Sequence, residues 1–166
     1  IALAAELKAK NQRSRYAKGV RVTDAPALVA VKHAAGVLRV EIEALLSQGL
    51  PNSPMAGADI RVASGNYITA RPIGVVDGVD YQYTGLVRKV DAPAIARRLE
   101  AGEVVLVPHV GYSPTGEVFN LSWEDVAQSV STALKADKLL LFVDRLPTDR
   151  KGKVLGELTA REAEAL

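Results

Sequence analysis

Residues Glu103–Asp144 read EVVLVPHVGYSPTGEVFNLSWEDVAQSVSTALKADKLLLFVD, and this stretch decides the fold. It opens on an apolar, β-branched run, Val104 to Val107, of the kind that forms a strand buried on both faces. A turn-rich segment follows, Gly111-Tyr-Ser-Pro-Thr-Gly116, and then a short return, Glu117-Val-Phe-Asn120. Ser122 is placed to cap a helix, with Glu124 and Asp125 in the first turn where the helix dipole favours anions. Val126, Val130, Ala133 and Leu134 recur at helical spacing and give that helix a buried face. Lys135-Ala-Asp-Lys138 closes it, and Leu139 to Val143 reads as a second buried strand. Strand, loop, helix and strand make a βαβ unit with a right-handed crossover. Ligands of such sheets lie beyond the carboxyl ends of the strands, which directs attention to Gly111–Asn120 and Asp144. The expected architecture is a three-layer α/β sandwich with a mainly parallel central sheet.

Upstream, Ala58 to Val90 alternates apolar and polar residues, punctuated by Gly65-Asn66, Gly74, Asp77-Gly78 and Gly85. This predicts a strand followed by an antiparallel β-hairpin excursion. Arg71, Asp77, Asp80, Tyr81 and Tyr83 are its polar candidates, either structural residues of the hairpin or pocket-lining ones. Asp91 caps a short helix, Ala92 to Glu100, which Gly102 terminates. Asp24, with Pro26 in the first turn, starts a longer helix carrying Leu28, Val31, Leu38, Ile42 and Leu45, which Gly49-Leu-Pro51 ends. Ile1 to Lys10 carries the pattern of the end of a surface helix. A basic run follows: Lys8, Lys10, Arg13, Arg15, Lys18 and Arg21. It reads either as a solvated helix end or as an anion site facing a carboxylate. Downstream, Val154-Leu155 is a short strand, and Thr159 with Glu162 forms a capping box that starts a helix.

The 166 residues suit one domain with a sizeable core. A net charge of +2 gives no argument for nucleic acid, and no run of about 18 apolar residues is available to span a bilayer. With no cysteine there is neither a disulfide framework nor a thiolate metal site. His33 and His109 are isolated and make a poor metal constellation. A cytoplasmic setting is expected.

Two long motifs, SGNYITARPIGVVDGVDYQYTG and GYSPTGEVFNLSWEDVA with ALKADKLLLF, together resemble the amino-acid-kinase-like domain of bacterial N-acetylglutamate synthases, from about Ala2 to Leu166. The resemblance implies an amino-acid-kinase-like fold in a parent enzyme that acetylates L-glutamate with acetyl-CoA, the first step of arginine biosynthesis. It also implies a first strand and glycine-rich loop before Ile1 and an acetyltransferase domain after Leu166. Gly19-Val-Arg21-Val-Thr23-Asp24 is similar to a segment of the related acetylglutamate kinases whose arginine holds a carboxylate of the substrate. By that match Arg21 is a carboxylate clamp, and Asn120 its amide partner, in a vestigial substrate pocket. Where the kinases carry Asp four residues after the Asn, this chain has Glu124. The extra methylene displaces the carboxylate from an aligned site, so the resemblance implies a fold that has lost phosphoryl transfer. Arg145-Leu146-Pro147 also departs from the Gly-Val turn that often follows the strand Asp in the family.

In such a domain L-arginine acts as effector, and an acetylglutamate-like molecule is the alternative ligand. Asp137 and Lys138, at the helix-to-strand junction, are the candidates for part of the effector site: an acid for the guanidinium and a cation for the carboxylate. No catalytic residue, metal or bound cofactor is expected within the segment itself, acetyl-CoA being a substrate of the parent. A homo-oligomer is expected, with no nucleic-acid or membrane partner. An active acetylglutamate kinase and a non-catalytic oligomerisation module are the competing readings.

Overall fold

The computed structural model describes residues 15–149 and 152–164. The expected first helix, with Lys8, Lys10 and Arg13, lies outside them. Two tight hairpins set the amino-terminal half. β1 (Arg15–Ala17) and β2 (Val20–Val22) pair antiparallel around Lys18-Gly19, and β5 (Val75–Val76) and β6 (Val79–Asp80) around Asp77-Gly78. All four turn residues have positive φ, between +49° and +78°. Two consecutive positive φ angles give a turn whose twist matches that of the strands it joins. The tips meet in an ion pair between Lys18 Nζ and Asp77, while Tyr81 is buried and donates its hydroxyl proton to Ala17 O at 3.2 Å. The excursion predicted from Ala58 to Val90 is therefore present.

Between and after these hairpins lies a mixed sheet of four strands in the order β10 (Val118–Asn120), β9 (Val110–Tyr112), β4 (Ile68–Pro72) and β7 (Gly85–Val90). β4 and β7 pair antiparallel with a bulge at Thr69/Ala70, β4 meets β9 in parallel, and β9 turns antiparallel into β10. Ile68, Ala70, Phe119, Leu121 and Val126 form the core of this sheet, with Val87, Val90 and Val130 packed against it. Gly111 permits that packing, because a Cβ there would stand 2.7 Å from Ala70 Cβ and 2.8 Å from Leu121 Cδ1. A second, parallel pair joins β3 (Val62–Ser64) to β8 (Val104–Leu106), with Ser64 opposite Leu106.

The helices form where the caps predict. α1 (Ala25–Leu46) starts at Asp24, whose carboxylate accepts from Ala27 N at 2.8 Å, and it runs through Gly36 without interruption. α2 (Ala92–Glu100) starts at Asp91 and packs on β8. α3 (Trp123–Leu134) is capped by Ser122 Oγ, which accepts from Asp125 N at 3.1 Å, and packs on β7. The Thr159–Glu162 capping box opens α4 (Ala160–Glu164), with Thr159 N donating to the Glu162 carboxylate at 2.7 Å. The same bonds hold the Glu162 pKa below the usual carboxylate value.

Three local expectations are corrected. Leu139 to Val143 forms no strand and pairs with no strand among the described residues, so the predicted βαβ unit does not close there and Asp144 is not at a strand end. β8 is not buried on both faces: Val104 is 40% exposed, and among the described residues β3 is the strand that pairs with β8. Val154-Leu155 contributes only an isolated bridge to Thr148. In each case the apolar pattern was present but, among the described residues, its second partner was not. A strand that cannot satisfy its backbone through a neighbour gains little from forming.

Candidate functional site

The segments carrying Arg21 and Asn120 converge on a buried polar cluster. Arg21 lies on β2, half-buried, and Thr23 follows it at the end of that strand. Tyr83 stands between the two segments: its N–H donates to Thr23 O and its carbonyl accepts from Asn120 N, each at 2.9 Å. Thr84 completes the cluster. Its Oγ1 accepts from Thr23 N at 2.9 Å and donates to Arg21 O at 2.7 Å, while Asn120 Nδ2 donates to Thr23 Oγ1 at 2.9 Å. Thr23, Thr84 and Asn120 are all buried. Buried polar groups persist where each finds a partner, and here one hydroxyl serves two segments far apart in sequence. The cluster fixes β2 against β10. It also commits the Asn120 amide N–H to Thr23.

Beyond the carboxyl ends of β3 and β8, where Ser64 and Leu106 face each other, α1 leans over a cavity of about 490 Å³. Leu38 and Ile42 of α1 and Val107 and Val118 from the strand side give it apolar walls. Its charged lining is Lys32 and Arg39, seven residues apart on one face of α1, and no carboxylate lines it. Arg39 Nε stands 3.6 Å from Glu43 Oε1, one turn along the helix. A second cavity, about 390 Å³, lies between β8 and α3, with Val105, Val126, Val130 and Leu139 in its lining beside His109, Trp123 and Ser131.

His109 lines both cavities, as does Trp123. Its carbonyl accepts from Leu121 N at 2.9 Å, which anchors the loop between β8 and β9 to the end of β10. Its Nε2 is buried without a hydrogen-bond partner among the described residues. Burial lowers the imidazole pKa below its ordinary value, and the nearby positive charge of Arg21 lowers it further.

Of the residues singled out from sequence, Arg21 and Asn120 belong to one hydrogen-bonded neighbourhood, though neither lines either cavity. Asp137 and Lys138 are exposed in the segment after α3 and line neither. Asp80 accepts from Gln82 N at 2.9 Å within the hairpin; with Asp77 and Tyr81 bonded as described above, these three are structural. Glu124 accepts a hydrogen bond from Ser122 Oγ at 2.8 Å in the first turn of α3. The sequence reading set His109 aside as an isolated histidine and gave Lys32 and Arg39 no role. The spacing of Lys32 and Arg39 was available as a signal; the burial of His109 was not. No three metal-ligating side chains cluster among the described residues, and no helix there is long and apolar enough to cross a membrane.

Comparison with known proteins gives a consistent lineage. Residues 2–165 match the amino acid kinase family. The chain is 52% identical over 160 residues to an amino-acid acetyltransferase of Ralstonia nicotianae, covering 95% of this chain and 35% of that protein. It is 49% identical over 162 residues to an amino-acid acetyltransferase of Pseudomonas aeruginosa, covering 97% and 38%. It therefore spans a little over a third of the length of these relatives. Among solved structures, N-acetylglutamate synthase from Neisseria gonorrhoeae, complexed with coenzyme A and L-arginine, superposes with a TM-score of 0.87 at 36% identity, covering 99% of this chain and 39% of that one. The Streptococcus mutans protein smu.665, at 22% identity and a TM-score of 0.80, shares the fold.

Proposed function

The chain belongs to the amino acid kinase family, and from that premise we propose that it is the regulatory, L-arginine-sensing domain of an N-acetylglutamate synthase. The observation that carries the reading is the 52% identity, across 95% of the chain, to a protein named for acetyl transfer to an amino acid. In the full protein an acetyltransferase domain after Leu166 transfers the acetyl group from acetyl-CoA to L-glutamate, and a strand with a glycine-rich loop precedes Ile1. The edge of β8 away from β3, the cavity beside it and the exposed run Leu139–Val143 are surfaces that such additional chain would bury. The protein works in the cytoplasm as a homo-oligomer.

Within the segment no step of chemistry is assigned. Phosphoryl transfer needs a phosphate-cradling loop, a lysine and an aligned acid. The position for that acid holds Glu124, which is bonded to Ser122 at the start of α3. The Asn120 amide is bonded inward. These features support a substrate pocket that has become structural. Regulation requires that the effector bind two global states unequally, and its effect on catalysis is bounded by that difference. Asp137 and Lys138 remain the residues proposed to meet arginine's guanidinium and carboxylate.

The test is glutamate-dependent turnover of acetyl-CoA by the full-length protein, titrated with L-arginine. Inhibition is expected, with Lys138→Ala raising the half-maximal arginine concentration about tenfold. Turnover indifferent to arginine would remove the sensing role. ATP turnover with acetylglutamate would favour an active kinase instead.

A further inference from the structure

Val107, His109 and Trp123 line both cavities, so they form the wall that the two share. That wall hangs on the loop between β8 and β9, which the bond from Leu121 N to the His109 carbonyl, 2.9 Å long, ties to the end of β10. Leu121 follows Asn120, whose backbone N–H donates to Tyr83 O and whose side-chain amide donates to Thr23. Through these bonds the loop is continuous with the polar cluster that joins β2 to β10. The His109 ring is the poorly satisfied member of this chain of contacts. It is half-buried, and its Nε2 is shielded from solvent with no hydrogen-bond partner among the described residues.

We propose that the β8–β9 loop is a proton-operated joint: charging the His109 imidazole moves the ring out of the shared wall, releases the loop from Leu121 and loosens the Asn120 cluster behind it. A neutral imidazole tolerates one shielded nitrogen at modest cost, whereas an imidazolium donates from both nitrogens and needs an acceptor or water at each. The titratable and charged groups around the ring are Arg21 from β2, Lys32 and Arg39 from α1 and Tyr112 from β9. From α3 come Trp123 and Ser131, which carry no charge, and no carboxylate lines either cavity. Cations without an acid oppose a positive ring. The loop therefore closes on the neutral ring and opens to hydrate the charged one. This device does not rest on the arginine-sensing reading.

Proton linkage sets the direction. In the closed loop burial holds the imidazole pKa below its ordinary value of 6.5, and the charge of Arg21 adds to the effect. Opening hydrates the ring and returns its pKa toward that value. Between the two values the open form binds a proton that the closed form refuses. Closure is therefore fully favoured above about pH 6.5 and weakens as the pH falls below it. With the closed ring still neutral, one pH unit below that value raises the ratio of open to closed loop about tenfold.

The experiment is hydrogen exchange of the full-length protein, read by mass spectrometry on the fragment carrying Leu121 and corrected for the intrinsic pH dependence of exchange. Protection of the Leu121 amide should fall about tenfold between about pH 8 and about pH 5.5, while the paired amides of β7 keep theirs. His109→Gln, neutral at every pH, should flatten the dependence. His33→Gln, at an exposed position on α1, should leave it as it is. A second readout needs no histidine variant. Trp123 is the only tryptophan of the 166 residues, so the difference in emission between the parent and Trp123→Phe reports on the shared wall. That difference should move to longer wavelength over the same pH interval. Constant protection of Leu121 in the parent, an equal loss throughout β7, or an unmoved Trp123 emission would each overturn the proposal. So would a pH dependence retained in folded His109→Gln or abolished by His33→Gln. Because arginine inhibition of turnover is read separately, failure here and failure of the regulatory reading are distinguishable.

Discussion

The chain has two phenylalanines, and they sit in opposite circumstances. Phe119, on β10, is 3% exposed and is packed with Ile68, Ala70, Leu121 and Val126. Phe142, in the run Leu139–Val143, is 95% exposed, and its four neighbours in that run are each at least 45% exposed. The second run is the more hydrophobic of the two stretches. What separates them is company: β10 has β9 paired along one side, α3 following through the Ser122 cap, and the Tyr83 backbone beside Asn120. Among the described residues no strand pairs with the Leu139 run. Hydrophobicity drives burial only when partner surface is within reach, and a strand is stable only as part of a sheet.

That contrast can be broken by mutation. The largest expected effect is at Phe119, where truncation to Ala removes a fully packed ring from the core. It should cost about 3–5 kcal/mol, read as a lowered urea midpoint at constant m-value. A cost below about 1 kcal/mol would mean the sheet core is looser than its packing implies.

An intermediate effect is expected at Thr84. Thr84→Val keeps the side-chain shape but leaves the buried Thr23 N–H and the Arg21 carbonyl without the hydroxyl that serves both. The expected loss is about 1–3 kcal/mol by the same measurement. Hydrogen-exchange protection of the Thr23 and Tyr83 amides should fall with it. Unchanged protection would show that the cluster is not what joins β2 to β10.

The smallest effect belongs to Phe142. In the 166-residue chain Phe142→Ala should change stability by less than about 0.5 kcal/mol, since the ring touches mainly solvent. The same substitution in the full-length protein should cost about 3–5 kcal/mol if further chain covers the run. Equal small costs in both settings would count against the proposed covering of Leu139–Val143. Together the two measurements ask whether the two phenylalanines differ in kind or only in the chain available to cover them.

Much of the molecule was legible because its signals are local. Asp24, Asp91, Ser122 and Thr159 each cap a helix with their own side chains, so four residues suffice to announce each start. Asp77-Gly78 fixes its hairpin through the φ angles of two residues. The candidate site divides along the same line. Arg21 and Asn120 were legible through a motif resemblance and do share a neighbourhood, joined by Thr23 and Thr84, 61 positions apart in the chain. That Thr84 is the link carries no mark in the sequence, because a threonine in a strand is ordinary until two distant backbone groups converge on its oxygen.

Sequence alone determined the caps, the Asp77-Gly78 turn and the family to which the chain belongs; the β1–β2 hairpin around Lys18-Gly19, where a basic run reads as a helix end or an anion site, it did not. Tertiary structure alone decided which apolar runs became strands, that His109 would be buried between two cavities, and that Lys32 and Arg39 would overlook one of them. The physical reason is range. Caps and turns are settled by hydrogen bonds and dihedral angles within four residues. Burial, strand pairing and the pKa of a histidine depend on atoms that the fold brings from elsewhere in the chain.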